Sequence, residues 1–284
     1  MVEEHELKVS FFSKNKITCP LCSAVFHREE LLSGSGRLIA GNITDELHRL
    51  YEPSVKYGDV YPLVYQATVC PECWYASMEK DFIELPEAAV PKGQSDQEKR
   101  KSETRLIFPT VDFHKARSLI SGTAAQYLVS RCYDYFPVAF SPTIKQGIAS
   151  LRTGWLLDEL AKKHPDEQYD WLAKLFKRKA QFFYTEALEH EQDDSEPFSG
   201  LKSSGPDTDK NYGYEGIVYL ATLLTYKYGP TDNAELRVSA LSGAKTNIAK
   251  IFGMGKSSKS KPTPLLEHVR NLYTNINEEL HATD

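Results

Sequence analysis

The chain of 284 residues lacks any apolar run approaching the roughly 20 residues needed to cross a bilayer. Its first residues, Met1-Val2-Glu3-Glu4-His5-Glu6, lack the basic start and apolar stretch of a secretion signal. A cytoplasmic protein without a membrane span is expected. Cysteine is scarce too: five residues are too few and too dispersed for a secreted disulfide scaffold. Excess positive charge is also missing, and a formal net charge of -5 argues against generalised nucleic-acid binding.

Catalytic motifs are absent as well. No H-E-x-x-H occurs. Gly253-Met254-Gly255-Lys256-Ser257 ends like a phosphate-binding loop, but Lys250 stands where that loop needs its first glycine, and a helical pattern precedes it. Ser33-Gly34-Ser35-Gly36 carries no sign of the strand before it and helix after it that a phosphate cradle needs, so a flexible loop is expected. Glu186, Glu189 and His190 sit at helical spacing, yet a di-metal site needs matching Glu-x-x-His units on facing helices, leaving a solvated charged face. Cys132 stands alone on an apolar helical pattern and reads as a small buried hydrophobe.

What is present is concentrated in Cys19-Pro20-Leu21-Cys22 and Cys70-Pro71-Glu72-Cys73. A C-x2-C turn puts two sulfurs on one side of a tight loop, so two such turns supply the four thiolates of a tetrahedral site. Cys19, Cys22, Cys70 and Cys73 are therefore the expected ligands of one structural zinc ion, with iron also compatible with four thiolates. Ile17 and Phe26 flank the first pair, and Val69, Trp74 and Tyr75 the second, where they can keep the metal dry. Forty-seven residues separate the pairs. Loop entropy grows slowly with length, so a closed site tolerates such an insertion. A thioredoxin-like dithiol would need a C-x2-C opening a helix in a βαβ context, which neither pair has. His27, five residues after Cys22, is a substitute ligand by spacing and a surface residue otherwise.

The expected organisation is α+β in three parts: a zinc-ribbon-like module over 1–85, a linker over 86–110, and an all-α repeat-like body over 111–284. Within the module, Leu63 to Val69 is β-branched and aromatic, which suits a strand leading into a metal-binding turn. Thr44 to Tyr51 reads as a short helix with Asn42 or Thr44 as its cap. From Lys92 to Thr104 almost nothing is apolar, so this stretch is expected to be exposed and cut first by proteases. The body would then stand without the metal. From Val111 the apolar period becomes helical, with Ser141-Pro142, Pro165, Gly229-Pro230 and Thr263-Pro264 marking boundaries and 191–211 forming a polar loop. About six helices with short connections suggest stacked antiparallel pairs, and their core spacing accounts for most of the aromatics.

The knuckles, together with Leu151-Arg152-Thr153-Gly154-Trp155-Leu156 and Ala180-Gln181-Phe182-Phe183-Tyr184-Thr185-Glu186-Ala187, carry a resemblance. The chain resembles the bacterial family catalogued as domain of unknown function 2225, similar in its two C-P-x-C knuckles followed by tetratricopeptide-like helices. Trp74 departs from the glycine expected after the second knuckle, and no full W-x2-L-G-x2-Y repeat can be read. That family name implies an architecture and no activity. A non-enzymatic, zinc-stabilised interaction protein with a protein or peptide partner is the expected function. The alternative is a nucleic-acid-binding zinc ribbon using the basic segment Lys245 to Lys261, since residues 242–262 hold five lysines and no acid, while residues 1–90 carry 8 basic and 14 acidic side chains.

Overall fold

In the computed structural model, which describes residues 8–253 and 263–282, strands come first and helices follow. Three separate antiparallel hairpins form the N-terminal part: β1 (Ser10–Thr18) with β2 (Val25–Leu31), β3 (Ile39–Ile43) with β4 (Arg49–Glu52), and β5 (Ala67–Val69) with β6 (Ala76–Met78). Eight helices succeed them: α1 (Val90–Ser95), α2 (Gln97–Ile107), α3 (Leu119–Cys132), α4 (Pro142–Lys163), α5 (Tyr169–Gln192), α6 (Gly213–Tyr228), α7 (Ala234–Gly253) and α8 (Thr263–His281). From α3 onward each helix packs on the next in sequence, as short-range antiparallel pairing dictates. Among the described residues, no helix is long and apolar enough to cross a membrane. The basic segment is described only as far as Gly253, and residues 254–262 lie outside the described residues, as do 1–7.

Three local expectations are corrected. Thr44 to Tyr51 is the turn and return strand of the second hairpin, not a helix. Thr44 N–H donates to the His48 carbonyl (2.8 Å), and Leu47 takes a left-handed φ of 60° with its side chain fully buried. Tertiary partners override the helical pattern here: Glu46 accepts from Trp155 Nε1 (2.6 Å) and the Tyr228 hydroxyl (2.7 Å), and Lys227 Nζ donates to Asp45 (2.8 Å). The long strand over Leu63 to Val69 shortens to β5, because Pro62–Tyr65 forms a 3-10 turn wedged against α3. Gln126 Nε2 donates to the Leu63 carbonyl (2.9 Å), and a Cβ on Gly122 would meet Val64 at 2.5 Å. Gly122 is thus a close-approach residue inside α3, which begins at a capping box of Ser118 and Ser121.

The third correction concerns 86–110. This stretch holds α1 and α2, with Arg100 and Thr104 buried. Its lack of apolar residues misleads because the face it buries is polar and fully hydrogen-bonded. The cysteines Cys19, Cys70 and Cys73 share one core with Leu128 and Cys132 of α3 and Leu157 of α4. Leu47 of the second hairpin joins Ile144, Trp155, Leu224 and Ile248 in another. The cysteine-bearing hairpins therefore have no core apart from α3 and α4, whereas α4 to α8 supply most of the second core.

The acids that dock the second hairpin make its stability sensitive to pH. Burial opposes ionisation of Glu46, yet the charges of Lys177 and Lys227 and the Tyr228 and Trp155 hydrogen bonds outweigh it, holding Glu46 below its ordinary 4.5. Burial is likewise outweighed at Asp207 by His48, keeping it below 3.8. Folded values below the unfolded ones mean stabilisation that is present above those ordinary values and lost as pH falls through the lowered ones. The thermal midpoint should fall more steeply between about pH 5 and pH 3 in the wild type than in Glu46→Gln; parallel slopes would show that Glu46 does not carry this dependence.

Candidate metal centre

Two turns of the same design converge to make the site. Pairing of Thr18 with Val25 and of Val69 with Ala76 leaves Cys19 to Ala24 and Cys70 to Tyr75 as the loops of the first and third hairpins. In each, the amide of the first cysteine donates to the carbonyl five residues on, Cys19 to Ala24 and Cys70 to Tyr75, both at 2.9 Å. The residue after the second cysteine donates back to the first, Ser23 to Cys19 at 2.9 Å and Trp74 to Cys70 at 3.0 Å. Closing the loop this way requires a left-handed residue, and Ser23 (φ 60°) and Trp74 (φ 59°) supply it. That conformation costs a side-chain-bearing residue about 1–2 kcal/mol. Trp74 offsets the cost by burial, edge-on to Phe113 at 5.2 Å and beneath the Arg105 guanidinium at 4.7 Å.

The four sulfurs all lie within 4.8 Å of one another, with Cys19 to Cys73 and Cys22 to Cys70 at 3.5 Å. A tetrahedral ion with Zn–S bonds of about 2.3 Å would set its sulfurs about 3.8 Å apart, so the set fits a metal ion without rearrangement of the fold. Cys19, Cys70 and Cys73 are buried and Cys22 is exposed; all four are free of disulfides. Crowding sets the thiols of Cys19, Cys70 and Cys73 against one another. Contact with Cys70 pushes the Cys19 thiol up to about 12, contacts with Cys19 and Cys70 push Cys73 up, and contacts with Cys19 and Cys73, with amides of Cys73 and Glu72, hold Cys70 down to about 2. A bound divalent cation would remove the conflict by stabilising all four as thiolates.

Both knuckles are tied down from the segment that reads as a linker. Gln94 Nε2 donates to the Leu21 carbonyl at 2.6 Å, and Gly93 packs so tightly that a Cβ there would meet both Leu21 methyls at 2.8 Å. Arg100, 1% exposed, donates to the Cys73 carbonyl through Nη2 (2.6 Å) and Nε (3.2 Å), and through Nη1 to the Gly93 carbonyl and the Tyr135 hydroxyl, both at 3.0 Å. These contacts fix the separation of the two loops.

The other candidates fall away from this cluster. His27 is exposed, and its Nδ1 donates to the Ser13 carbonyl (2.7 Å). Cys132 is fully buried, and burial pushes its thiol up to about 11, which makes it a poor nucleophile. Glu186 pairs with His190 at 3.3 Å within α5, and among the described residues the four cysteines are the one group able to gather three or more ligands. Sequence reasoning missed Arg100, the buried Lys145–Asp81 pair at 2.6 Å, and the His48–Asp207 contact at 2.5 Å beneath stacked Trp155. Each joins residues dozens of positions apart, and no local pattern marks them.

Paired cysteine hairpins held by a short helical brace, ahead of a run of sequentially packed helices, define an α+β protein with a four-cysteine cluster able to bind a metal ion. The chain belongs to the family described as "Uncharacterized protein conserved in bacteria (DUF2225)", whose profile matches residues 12–276. An uncharacterized protein of Borreliella burgdorferi is 40% identical over 273 residues, covering 96% of this chain and 98% of that protein. No solved structure matches the chain.

Proposed function

We propose that the protein is a non-enzymatic, cytoplasmic interaction protein in which one zinc ion, held by Cys19, Cys22, Cys70 and Cys73, fixes the N-terminal module. Its helices, arranged in the manner of a tetratricopeptide-like array, present a surface to a protein partner. Four cysteine ligands close a tetrahedral shell and leave no position for substrate, which is the signature of a structural site. The observation that carries the interaction reading is an exposed apolar stripe along α5: Trp171 (55% exposed), Leu175 (39%) and Phe182 (56%). Spacings of four and seven residues place them on one face, with exposed Lys174 and Arg178 at positions three and seven after Trp171. A large aromatic left in water on a helix face is a recurrent anchor of protein interfaces. The intervening cations suit an amphipathic partner helix that carries acidic residues beside its apolar ones.

A photo-crosslinking amino acid at Leu175 should capture one discrete partner in cells. The double variant Trp171→Glu with Phe182→Glu should abolish capture while zinc content and circular dichroism stay unchanged. Equal capture from Leu175 and from the exposed control position Val55 would refute the assignment of this face.

A further inference from the structure

A cleft of about 310 Å³ lies between the 3-10 turn that follows the third hairpin, the inner face of α4, and the loop 201–211. Its lining is rich in charge of both signs, but the acids are already committed. Asp81 Oδ2 accepts from Lys145 Nζ and from the Tyr133 hydroxyl, both at 2.6 Å. Asp207 Oδ2 takes His48 Nδ1 (2.5 Å) and the Arg49 amide (2.8 Å), while its Oδ1 takes the Thr208 amide (2.6 Å). Asp209 pairs with Arg49 at 2.8 Å, and Glu79 pairs with Arg28. The cations of the same wall are not matched in this way. Lys202 lies 3.9 Å from Asp81 and is otherwise exposed, and Lys80 and Lys210 are exposed at the rim.

At the base sits Arg152, only 8% exposed. Its Nε donates to the Pro206 carbonyl at 2.7 Å, and its two terminal nitrogens have no acceptor among the described residues. Tyr184, within electrostatic reach of Arg152, likewise buries a hydroxyl that has no hydrogen-bond partner. A guanidinium stays charged at every physiological pH; the Asp207 carboxylate also acts on Arg152, but its oxygens are already taken by His48 and by the Arg49 and Thr208 amides. The N–H groups of the guanidinium's terminal nitrogens form a planar fork that matches the two oxygens of a carboxylate or phosphate. Once the internal pairs are discounted, the cleft offers the Arg152 fork at its base and lysines at its mouth, in a volume suited to a small molecule.

We propose that this cleft binds a small polyanionic metabolite carrying phosphate or carboxylate groups. One oxyanion is gripped by the Arg152 fork, and a second charge faces Lys202 and Lys210. One wall comes from the third, cysteine-bearing hairpin and the turn after it, and the other from α4 and the loop 201–211, so an occupant would draw the two together.

Isothermal titration of the full-length, metal-loaded protein with inorganic pyrophosphate and with citrate tests the site. One or both should bind with 1:1 stoichiometry and raise the thermal midpoint, with affinity falling as salt is added; which of them binds separates phosphate from carboxylate. Lys202→Ala with Lys210→Ala, both outside any core, should weaken binding about tenfold, and Arg152→Met should abolish it. Should Arg152→Met fail to fold, the lysine double variant decides. No binding of either anion, binding unaffected by these variants, or binding of an oligonucleotide alone would overturn the proposal.

Discussion

Replacing Cys70 by serine is expected to empty the metal site and to cost the protein helical structure in and around α3 along with its hairpins. Wild-type protein should carry about one zinc per chain by elemental analysis and the variant essentially none, since three thiolates do not close the shell. Metal-binding free energy in small structural zinc sites is on the order of 10 kcal/mol, comparable to the whole stability of a typical domain. Where that loss spreads is set by packing. Cys19, Cys70 and Cys73 lie in the same core as Ala124, Leu128 and Cys132 of α3 and Ala149 and Leu157 of α4. Unfolding the knuckles strips these helices of one side of their core. Far-ultraviolet circular dichroism should therefore lose helical signal in the same transition that releases the metal. A variant that keeps the full helical signal and midpoint would show that the hairpins and helices are energetically separate.

Sequence patterns carried the parts of this fold that rest on local chemistry. The two Cys-Pro-x-Cys turns were legible because the spacing itself brings sulfurs together, and the later helices because proline and glycine punctuate an apolar period: Pro142 opens α4, and Gly229-Pro230 follows α6. The parts that resisted are held by single long-range polar contacts. Nothing in the neighbours of Glu46 announces that it will accept from Trp155 and Tyr228, and without those donors the run Thr44 to Tyr51 reads as helix. The stretch from Lys92 to Thr104 looks unstructured because hydrophobic periodicity is blind to a helix whose buried face is an arginine and a threonine. Trp74 reads as a departure from a glycine position, and the structure gives its physical compensation, a left-handed backbone held by a buried ring.

That arginine supports the other large expected effect. Arg100→Met keeps the apolar stem of the side chain and removes the guanidinium, so the change falls chiefly on its hydrogen bonds. The carbonyls of Cys73 and Gly93 lose their donors in a buried setting, and the Tyr135 hydroxyl, which donates to Asp96, loses a partner. Breaking a buried charge-assisted network from one side costs about 3–5 kcal/mol, and the midpoint moves about 2–4 °C per kcal/mol in a chain approaching this size. A fall of about 10 °C is expected. Zinc should still bind, because all four cysteines remain, but it should pass to a chelator faster as the second knuckle loosens from α2. Limited trypsin digestion gives the sharper contrast. Lys92, Lys99 and Lys101 lie in or beside helices pinned through Arg100, so the wild type should resist cleavage there and the variant should be cut. Early cleavage of the wild type between 92 and 105 would mean that the segment is a linker after all, with no part in holding the knuckles together.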